Sequence, residues 1–279
     1  MAGGLVPDGC AVVTGASRGL GRAIALELAG RGTEVVATMR DPAHGAPLLR
    51  ESAARDLPLR VQRLDVTQPG DFEMPDGLTM LVNNAGIRKQ YLSVEDTDLS
   101  EWRETFETNV FGAVEMTRRA IPKLRATGGG VICNITSMAI FQPWPFFAAY
   151  RASKAALATM TESLSIELAP HGIRVIDVPL GPVETDLWAT SIIARPPEAV
   201  EHEAYREVAE RNYEQIRQAM PQVTSTADAA RGIVDALFDT SDAARVACDV
   251  VAAEALAKWR SCDDEARRRD MLHHLGLDG

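Results

Sequence analysis

The chain has 279 residues, of which 46% are hydrophobic and 24% are charged, and its formal net charge at pH 7 is −10. This composition is typical of a globular protein, and the length suits one large α/β domain. Because nucleic acids and anionic membranes would repel an acidic protein, the charge argues against both as partners.

The N-terminus and the cysteines predict a soluble protein in a reducing compartment. The first residues, MAGGLVPDG, have neither the basic start nor the apolar core of a signal peptide. No apolar run in the sequence reaches about 18 residues, so we expect no membrane span and a cytoplasmic location. The four cysteines are widely spaced and form no C-x-x-C pair, which favours free thiols over a disulfide or a metal site.

Short apolar runs rich in Val and Ile recur through the first 180 residues and lack polar alternation, as strands covered on both faces do. The predicted strands are Cys10–Thr14, Glu34–Thr38, Leu59–Leu64, Met80–Val82, Val131–Ile135 and Arg174–Val178. Helical periodicity lies between them, at Leu20–Arg31, Leu99–Thr127 and Ala149–His171. This alternation predicts a single doubly wound α/β domain with about seven parallel strands, helices on both faces, and a ligand site at the carboxyl ends of the strands.

A glycine-rich turn, TGASRGLG, joins the first strand to the first helix at Thr14–Gly21. Glycines let the backbone approach a pyrophosphate, and the helix N-terminus supplies free N–H donors and a positive dipole end. The spacing differs from the common G-x-G-x-x-G fingerprint, and a plain strand–helix turn is the alternative. The residues expected to contact a dinucleotide there are Gly15, Ser17, Arg18, Gly19, Leu20 and Gly21.

The end of the second strand indicates which dinucleotide binds. An acidic residue there would bind the ribose 2′-OH of NAD(H) and repel a 2′-phosphate. This chain has Met39 at that position and Arg40 next, with Arg18 in the nearby turn, and Asp41 comes one residue too late. Two guanidiniums suit a dianionic phosphate, so the pattern favours NADP(H), with NAD(H) as the alternative.

Further motifs follow the glycine turn in a fixed order along residues 10 to about 186. They are Asp65-Val66, Asn83–Gly86 (NNAG), Asn109, Ser137, Tyr150-x-x-x-Lys154 and Leu180–Thr185 (LGPVET). Taken together, the set resembles the short-chain dehydrogenase/reductase family, and loosely its members that act on hydroxysteroids or retinoids. The resemblance implies a Rossmann-type fold and hydride transfer between a nicotinamide and a ketone or alcohol.

The resemblance also implies a role for each catalytic residue. Tyr150 would give its phenolic proton to the carbonyl oxygen, and Lys154 would lower the pKa of Tyr150 and bind the nicotinamide ribose. Ser137 would position the substrate oxygen through a hydrogen bond, and Asn109 would hold a water that links Lys154 to solvent.

The remaining cofactor contacts come from the same resemblance. Asp65 and the Val66 backbone would bind the adenine, and the ribose would lie along Asn84, Ala85 and Gly86. Val183 and Thr185 would meet the nicotinamide carboxamide. The family has Pro-Gly where this chain has Leu180-Gly181, with Pro179 one residue early, so this loop departs from the family pattern.

An aromatic stretch, Met138–Phe147, lies between Ser137 and Tyr150 and predicts an apolar wall for a bulky ketone or secondary alcohol. Packing of this stretch against its own domain or a partner subunit is the alternative. Residues of about 186–222 are predicted to form a substrate lid, and those of about 248–279 a helical tail. The predicted pocket residues are Met138, Phe141, Trp144, Phe147 and Trp188.

Two other functions compete with a reductase. Sugar-nucleotide epimerases and dehydratases also use Tyr-x-x-x-Lys, but their glycine turn has another spacing and their C-terminal domain is larger. A regulatory or scaffold protein of the same fold could bind NADP without catalysis, although such proteins usually lose the tyrosine or the lysine. The resemblance further implies a homodimer or homotetramer formed through the helices Leu99–Thr127 and Ala149–His171, and no metal.

Overall fold

Six parallel strands form one sheet in the computed structural model, which describes residues 9–185, 197–219 and 222–277. In chain order the strands β1 to β6 are Cys10–Val13, Glu34–Met39, Leu59–Arg63, Leu78–Asn83, Gly130–Ser137 and Ile173–Leu180. Their spatial order is β3-β2-β1-β4-β5-β6, so the chain reverses its direction of growth between β1 and β4. The prediction of a doubly wound parallel sheet is confirmed, and a crevice for a ligand is expected at this switch point.

Helices cover both faces of the sheet. The α-helices α1 to α9 are Gly19–Gly30, Ala46–Ala54, Leu99–Phe106, Gly112–Ala126, Ala148–Leu168, Arg206–Ala219, Thr226–Phe238, Val250–Ser261 and Asp264–His274. The helix predicted as continuous over Leu99–Thr127 is interrupted by one π-helical turn, Glu107–Phe111. Such turns often mark functional positions, and this one carries Asn109.

The strands are buried on both faces, as the apolar runs predict. In β1, Ala11 and Val13 pack into the core beneath α1 and α7, whereas Cys10 and Val12 pack into the core beneath α4. Successive side chains of a strand point to opposite faces, so both positions must be apolar. All four cysteines are free thiols, and Cys133 lies at the centre of the sheet with 0% exposure.

A short segment lies where a seventh strand would extend the sheet. Asp177 in β6 pairs with Arg245 through a single parallel bridge. The Asp177 N–H donates to the Ala244 carbonyl at 2.8 Å, and the Val246 N–H donates to the Asp177 carbonyl at 2.9 Å. The described residues therefore contain six strands rather than about seven, because the chain at 244–246 pairs with β6 at one residue only. Within the described ranges, no helix is long and apolar enough to cross a membrane.

Candidate active site

The glycine turn and the NNAG loop meet at the switch point of the sheet. A Cβ atom on Gly15 would lie 2.9 Å from the Ala85 Cα atom, and one on Gly21 would lie 2.4 Å from the Asn84 Nδ2 atom. Gly15 also has a φ angle of +67°, which residues other than glycine rarely adopt. Both glycines are therefore required for the close approach of the two loops.

Hydrogen bonds from Thr14 and Asn84 fix these loops together. The Thr14 hydroxyl oxygen accepts from the backbone N–H groups of Asn84 and Ala85, each at 3.0 Å. The Asn84 side-chain amide donates to the Thr14 carbonyl at 2.9 Å. Because its side-chain amide is hydrogen-bonded to the glycine turn, Asn84 lies at the base of the crevice between β1 and β4.

Helix α1 opens directly onto this crevice. Its N-cap residue is Arg18, a side chain that can only donate hydrogen bonds and so leaves the first backbone N–H groups of the helix available. Ser17 is partly buried, Leu20 is buried, and Gly19 has a φ angle of +52°. A Cβ atom on Gly19 would lie 3.6 Å from the Thr185 methyl group, so the loop after β6 reaches the turn. This bare helix N-terminus, lined by glycine, fits a pyrophosphate.

Two positions flank the expected adenosine end of the crevice. Arg40 follows β2 and is exposed, whereas the Asp41 carboxylate accepts from the Ala43 N–H at 2.9 Å and so caps a short 3-10 helix. One oxygen of Asp65 accepts from the Thr67 N–H at 3.0 Å and from its hydroxyl at 2.8 Å. The second Asp65 oxygen is the one available to an adenine amino group.

The hydrophobic side of this end is closed by Val66, which is 8% exposed and packs against Gly112. Across the sheet, Val183 is also 8% exposed and forms a parallel bridge with Thr224. The structure therefore places the predicted cofactor residues on the loops that follow β1, β2, β3, β4 and β6, all at the carboxyl edge of the sheet.

The predicted catalytic residues lie together at the ends of β4 and β5. Ser137 is the last residue of β5, its hydroxyl oxygen accepts from the Ala139 N–H at 3.2 Å, and it lies close enough to Tyr150, near the start of α5, to lower the pKa of the phenol. Lys154 is one turn further along α5, with its Nζ atom 5.9 Å from the centre of the Tyr150 ring. The Lys154 ammonium donates to the Ile135 carbonyl at 2.8 Å.

Burial raises the pKa of Tyr150, and the charge of the Arg88 guanidinium and the proximity of Ser137 oppose this rise. The effect of Lys154 on the phenol stays a prediction. In the structure its ammonium donates to the Ile135 carbonyl.

Lys154 is itself strongly affected by its surroundings. Only 5% of the residue is exposed. Burial lowers its pKa from 10.5 to about 8, and the negative charge of Asp177 opposes this change. Lys154 is therefore mostly protonated at neutral pH and loses its proton in mildly alkaline solution.

Asn109 lies in the π-helical turn with 1% exposure and holds the NNAG loop. Its Oδ1 atom accepts from the Ile87 N–H at 2.8 Å, and its Nδ2 atom donates to the Ile87 carbonyl at 2.9 Å and to the Ser153 hydroxyl at 3.0 Å. A Cβ atom on Gly86 would lie 3.2 Å from Asn109 Oδ1 and 3.4 Å from Lys154 Nζ. Gly86 therefore covers the point where these two side chains meet.

A buried amide network behind the site was not predicted. The Asn83 amide donates to the Asn134 side-chain oxygen at 2.8 Å and to the Thr117 hydroxyl at 3.2 Å. The Asn134 amide donates to the Thr161 hydroxyl at 2.8 Å. These bonds join β4, β5, α4 and α5, and of these β5 carries Ser137 and α5 carries Tyr150 and Lys154. The available signal was a polar residue inside each apolar strand, because buried amides require partners.

The aromatic stretch divides between two locations. Phe147 stacks on Tyr150 with ring centres 6.3 Å apart, and meets Tyr91 edge-on at 5.4 Å. Phe146 is buried with a φ angle of +68°, a strained conformation for a non-glycine residue, and its ring contacts Tyr205. This part of the stretch borders Tyr150.

The other predicted pocket residues lie elsewhere. Phe141 is 1% exposed and packs on Trp259 of α8 with ring centres 5.5 Å apart. Trp144 meets the His274 ring of α9 edge-on at 6.1 Å. These two aromatic residues therefore pack against the C-terminal helices, as the alternative interpretation predicted, and Met138 is partly buried in the 3-10 turn after Ser137. Trp188 lies outside the described residues.

A small cavity beside Tyr150 is lined by Phe147, Arg88 and Glu101, among others. The Arg88 guanidinium lies 5.1 Å from the centre of the Tyr91 ring. The cavity is therefore lined by both apolar and charged side chains. Arg88 belongs to the segment Ile87–Tyr91, which directly follows the NNAG loop and was expected to border the pocket.

The described part of the predicted lid packs over this region. The Glu198 carboxylate accepts from the Tyr91 N–H at 2.9 Å, and the Ala199 N–H donates to the Tyr91 carbonyl at 3.0 Å. Ala199, Ala209 and Ile216 form a buried cluster with Tyr91 and Phe146. Residues 186–196 and 220–221 of the predicted lid lie outside the described residues.

Comparison with known proteins identifies the family. Residues 9–195 match the profile of the family described as short chain dehydrogenase. The chain belongs to the short-chain dehydrogenase family. It is an oxidoreductase of this family, and its fold is one that binds a nicotinamide cofactor.

Similar proteins support the same placement. The bovine 11-beta-hydroxysteroid dehydrogenase type 2 is 37% identical over 178 residues, which cover 59% of this chain and 43% of the bovine enzyme. A short-chain dehydrogenase structure from Streptomyces avermitilis has a TM-score of 0.74 at 32% identity, covering 95% of each chain. A short chain dehydrogenase structure from Burkholderia cenocepacia, in complex with NADP, has a TM-score of 0.70 at 27% identity, covering 97% of this chain and 99% of that one.

Proposed function

We propose that this short-chain dehydrogenase is an NADP(H)-dependent oxidoreductase that transfers a hydride between the nicotinamide and a hydrophobic ketone or secondary alcohol. One observation carries the proposal: Tyr150 and the buried Lys154 lie one turn apart on α5, with the Lys154 Nζ atom 5.9 Å from the centre of the Tyr150 ring, and Ser137 ends the neighbouring strand β5 close enough to act on the phenol. Two hydroxyl groups beside a buried ammonium suit the protonation of a carbonyl oxygen.

The residues divide the reduction between them. The bound cofactor supplies the hydride, and the glycine turn, Asp65 and the loops at 84–86 and 183–185 would hold it. Tyr150 donates the phenolic proton to the carbonyl oxygen, and Ser137 donates a hydrogen bond that positions that oxygen. Burial raises the pKa of Tyr150, which weakens the phenol as an acid, and the nearby positive charges would offset this loss.

Lys154 and Asn109 support the tyrosine in this proposal. Lys154 supplies positive charge next to Tyr150 and binds the nicotinamide ribose. The side chain of Asn109 is already bonded to Ile87 and Ser153, so its proposed part in a water relay is to hold the NNAG loop and α5 beside Lys154.

The preference for NADP(H) is proposed from charge. Arg40 and Arg18 are both exposed near the adenosine end, and the Asp41 carboxylate caps a 3-10 helix. Arg40→Ala should raise the NADPH Michaelis constant by ten-fold or more, since a charge-assisted bond to phosphate contributes about 1.5–3 kcal/mol. The matched control is Arg50→Ala, an exposed arginine on α2. An unaltered constant in Arg40→Ala combined with Arg18→Ala would refute the assignment.

The proposed substrate has an apolar body, because Phe147 stacks on Tyr150 and Phe146 lines the same cavity. Screening ketones and alcohols while following the absorbance of NADPH tests this. The panel should pair each apolar carbonyl compound with a carboxylated analogue, since Arg88 also lines the cavity. Preference for small charged substrates would contradict the proposal.

Tyr150→Phe separates the enzyme from the alternative, an NADP-binding regulatory or scaffold protein. The variant should keep its NADPH affinity, measured by nucleotide fluorescence, and lose roughly 10³-fold or more in turnover, because the proton donor is gone while the ring stays. If the wild type binds NADPH yet reduces no carbonyl compound, or if Tyr150→Phe turns over normally, the catalytic role is wrong.

We also propose that the chain forms a homodimer or homotetramer through α3, α4 and α5, in the cytoplasm. Large apolar side chains are exposed on or beside these helices, with Phe111 at 55% and Ile166 at 77%. Such exposure is typical of a face that is covered in an oligomer. Sedimentation analysis of the wild type and of Ile166→Glu tests it, and a wild-type monomer would contradict it.

A further inference from the structure

The C-terminal segment 244–262 contacts two of the loops around the site, the turn after Ser137 and the loop that begins at Gly181. It begins beside β6 and continues through helix α8. Nothing in its sequence resembles a catalytic motif, yet three of its side chains contact segments around the site. These are Arg245, Asp249 and Trp259.

Arg245 forms ion pairs with residues of β6 and α5. Its Nε atom pairs with the Asp177 carboxylate at 2.6 Å, and its guanidinium also reaches Glu162 of α5 at 2.9 Å. The Asp177 side chain is 1% exposed, and its other oxygen accepts from the Thr136 hydroxyl. Thr136 is the residue between Ile135, which binds Lys154, and Ser137. The ion pair therefore fixes the end of β5 that holds the catalytic residues.

The Arg245 guanidinium also contacts both rings of the Phe141–Trp259 pair. Its Cζ atom is 5.8 Å from the centre of Phe141 and 5.3 Å from that of Trp259. Phe141 ends the 3-10 turn that begins directly after Ser137. On the other side, Arg151 donates to the Ala139 carbonyl of the same turn at 2.8 Å. The turn that carries Ser137 is thus held between α5 and α8.

Asp249 holds the second loop. One of its oxygens accepts from the Gly181 N–H at 2.8 Å, and the other accepts from the Ala252 N–H at 2.8 Å, which caps α8. Gly181 directly follows β6 and leads to Val183 and Thr185, the proposed contacts of the nicotinamide carboxamide. The start of α8 and the cofactor loop are therefore fixed to one carboxylate that is 8% exposed.

We propose that Arg245, Asp249 and Trp259 are positioning residues, through which the C-terminal segment holds Ser137 and the Gly181 loop in their working geometry. The inference rests on the proposed reductase function for its kinetic readouts. The segment does this work through packing and hydrogen bonds rather than through contact with the reacting atoms. Small displacements of Ser137 are costly, because misplacing a reacting group by about 1 Å can reduce a rate by roughly 100-fold.

Trp259→Ala tests the contact to the Ser137 turn. We expect kcat to fall roughly 10- to 100-fold with the NADPH dissociation constant unchanged, because the turn orients the substrate and not the cofactor. Trp259→Phe keeps a ring against Phe141 and should restore most of the activity. Lys258→Ala, on the same helix and exposed in a 3.0 Å pair with Asp270, is the matched control and should behave like the wild type.

Asp249→Ser tests the second contact. Serine keeps an N-cap for α8 but is too short to reach the Gly181 N–H, so the helix is retained while the loop is released. We expect weaker NADPH binding by roughly ten-fold and a lower kcat, with thermal stability close to that of the wild type.

Hydrogen exchange of the amides at 138–141 provides a readout that needs no turnover. Exchange should be faster in Trp259→Ala than in Trp259→Phe, Lys258→Ala or the wild type. If the wild type reduces no carbonyl compound, the reductase proposal fails, while exchange and NADPH binding still decide the positioning role. Unchanged kcat and exchange in Trp259→Ala, or equal losses in Trp259→Ala and Lys258→Ala, would overturn the inference.

Discussion

Replacing Lys154 with methionine should remove activity and make the protein more stable. The residue is 5% exposed, and its pKa falls from 10.5 to about 8 on folding. That difference corresponds to about 3 kcal/mol of lost stability at neutral pH, because each pH unit is worth about 1.4 kcal/mol. Methionine has a similar length and no charge, but it leaves the Ile135 carbonyl without its donor, at about 1–2 kcal/mol. We expect a net gain of about 1–2 kcal/mol at pH 7.

The pH dependence identifies the charge as the cause. A lysine whose pKa is lowered in the folded state is destabilising below about pH 8, and this penalty disappears as the pH rises from about 8 to 10.5. The advantage of Lys154→Met over the wild type should therefore shrink across that window, as measured by urea unfolding at pH 7 and pH 10. The exposed Lys258→Met is the control and should show no such change. A variant that is less stable than the wild type at pH 7 would refute the reasoning.

Three further predictions concern the same site. In a pH–rate profile, kcat for reduction should fall above about pH 8, as Lys154 loses its proton while Tyr150, with its raised pKa, stays protonated. Gly15→Ala should weaken NADPH binding in fluorescence titrations far more than Gly77→Ala, because both have positive φ angles but only Gly15 packs against backbone. Asn109→Ala should lower the free energy of unfolding by about 2–4 kcal/mol in urea, since three hydrogen bonds are lost.

The sheet could be predicted from the sequence because burial on both faces leaves a local signal. Val12 and Val13 point into different cores, so consecutive residues of β1 must both be apolar. The ends of the strands were less certain, since polar residues such as Asn83 and Ser137 close them where the site begins. The edge at Arg245 carries no such apolar run, and its single bridge to Asp177 could not be predicted locally.

The proposed catalytic residues could be named from the family resemblance of the motifs, and their proximity could be predicted because their spacing is set by local structure. Tyr150 and Lys154 are four residues apart on one helix, and Ser137 ends the preceding strand. The partners of Phe141 and Trp144 are more than 100 residues away in the sequence, so nothing nearby distinguishes a pocket residue from one packed under a C-terminal helix. Arg88, whose charge acts on Tyr150, is also distant from it in the sequence, so this interaction could not be predicted from neighbouring residues.

The buried charges around β5 and β6 show why the site retains an arrangement that costs stability. Asp177 would be strongly destabilising alone in a parallel sheet, and burial does raise its pKa. Thr136 and Arg245 each bond to it and oppose that rise, so the carboxylate keeps negative charge near Lys154. That charge in turn opposes the loss of the proton from Lys154. An apolar residue at position 177 would avoid the cost of burying a carboxylate, but it would also remove a charge that opposes the lowering of the Lys154 pKa, so we expect that pKa to fall further in such a variant.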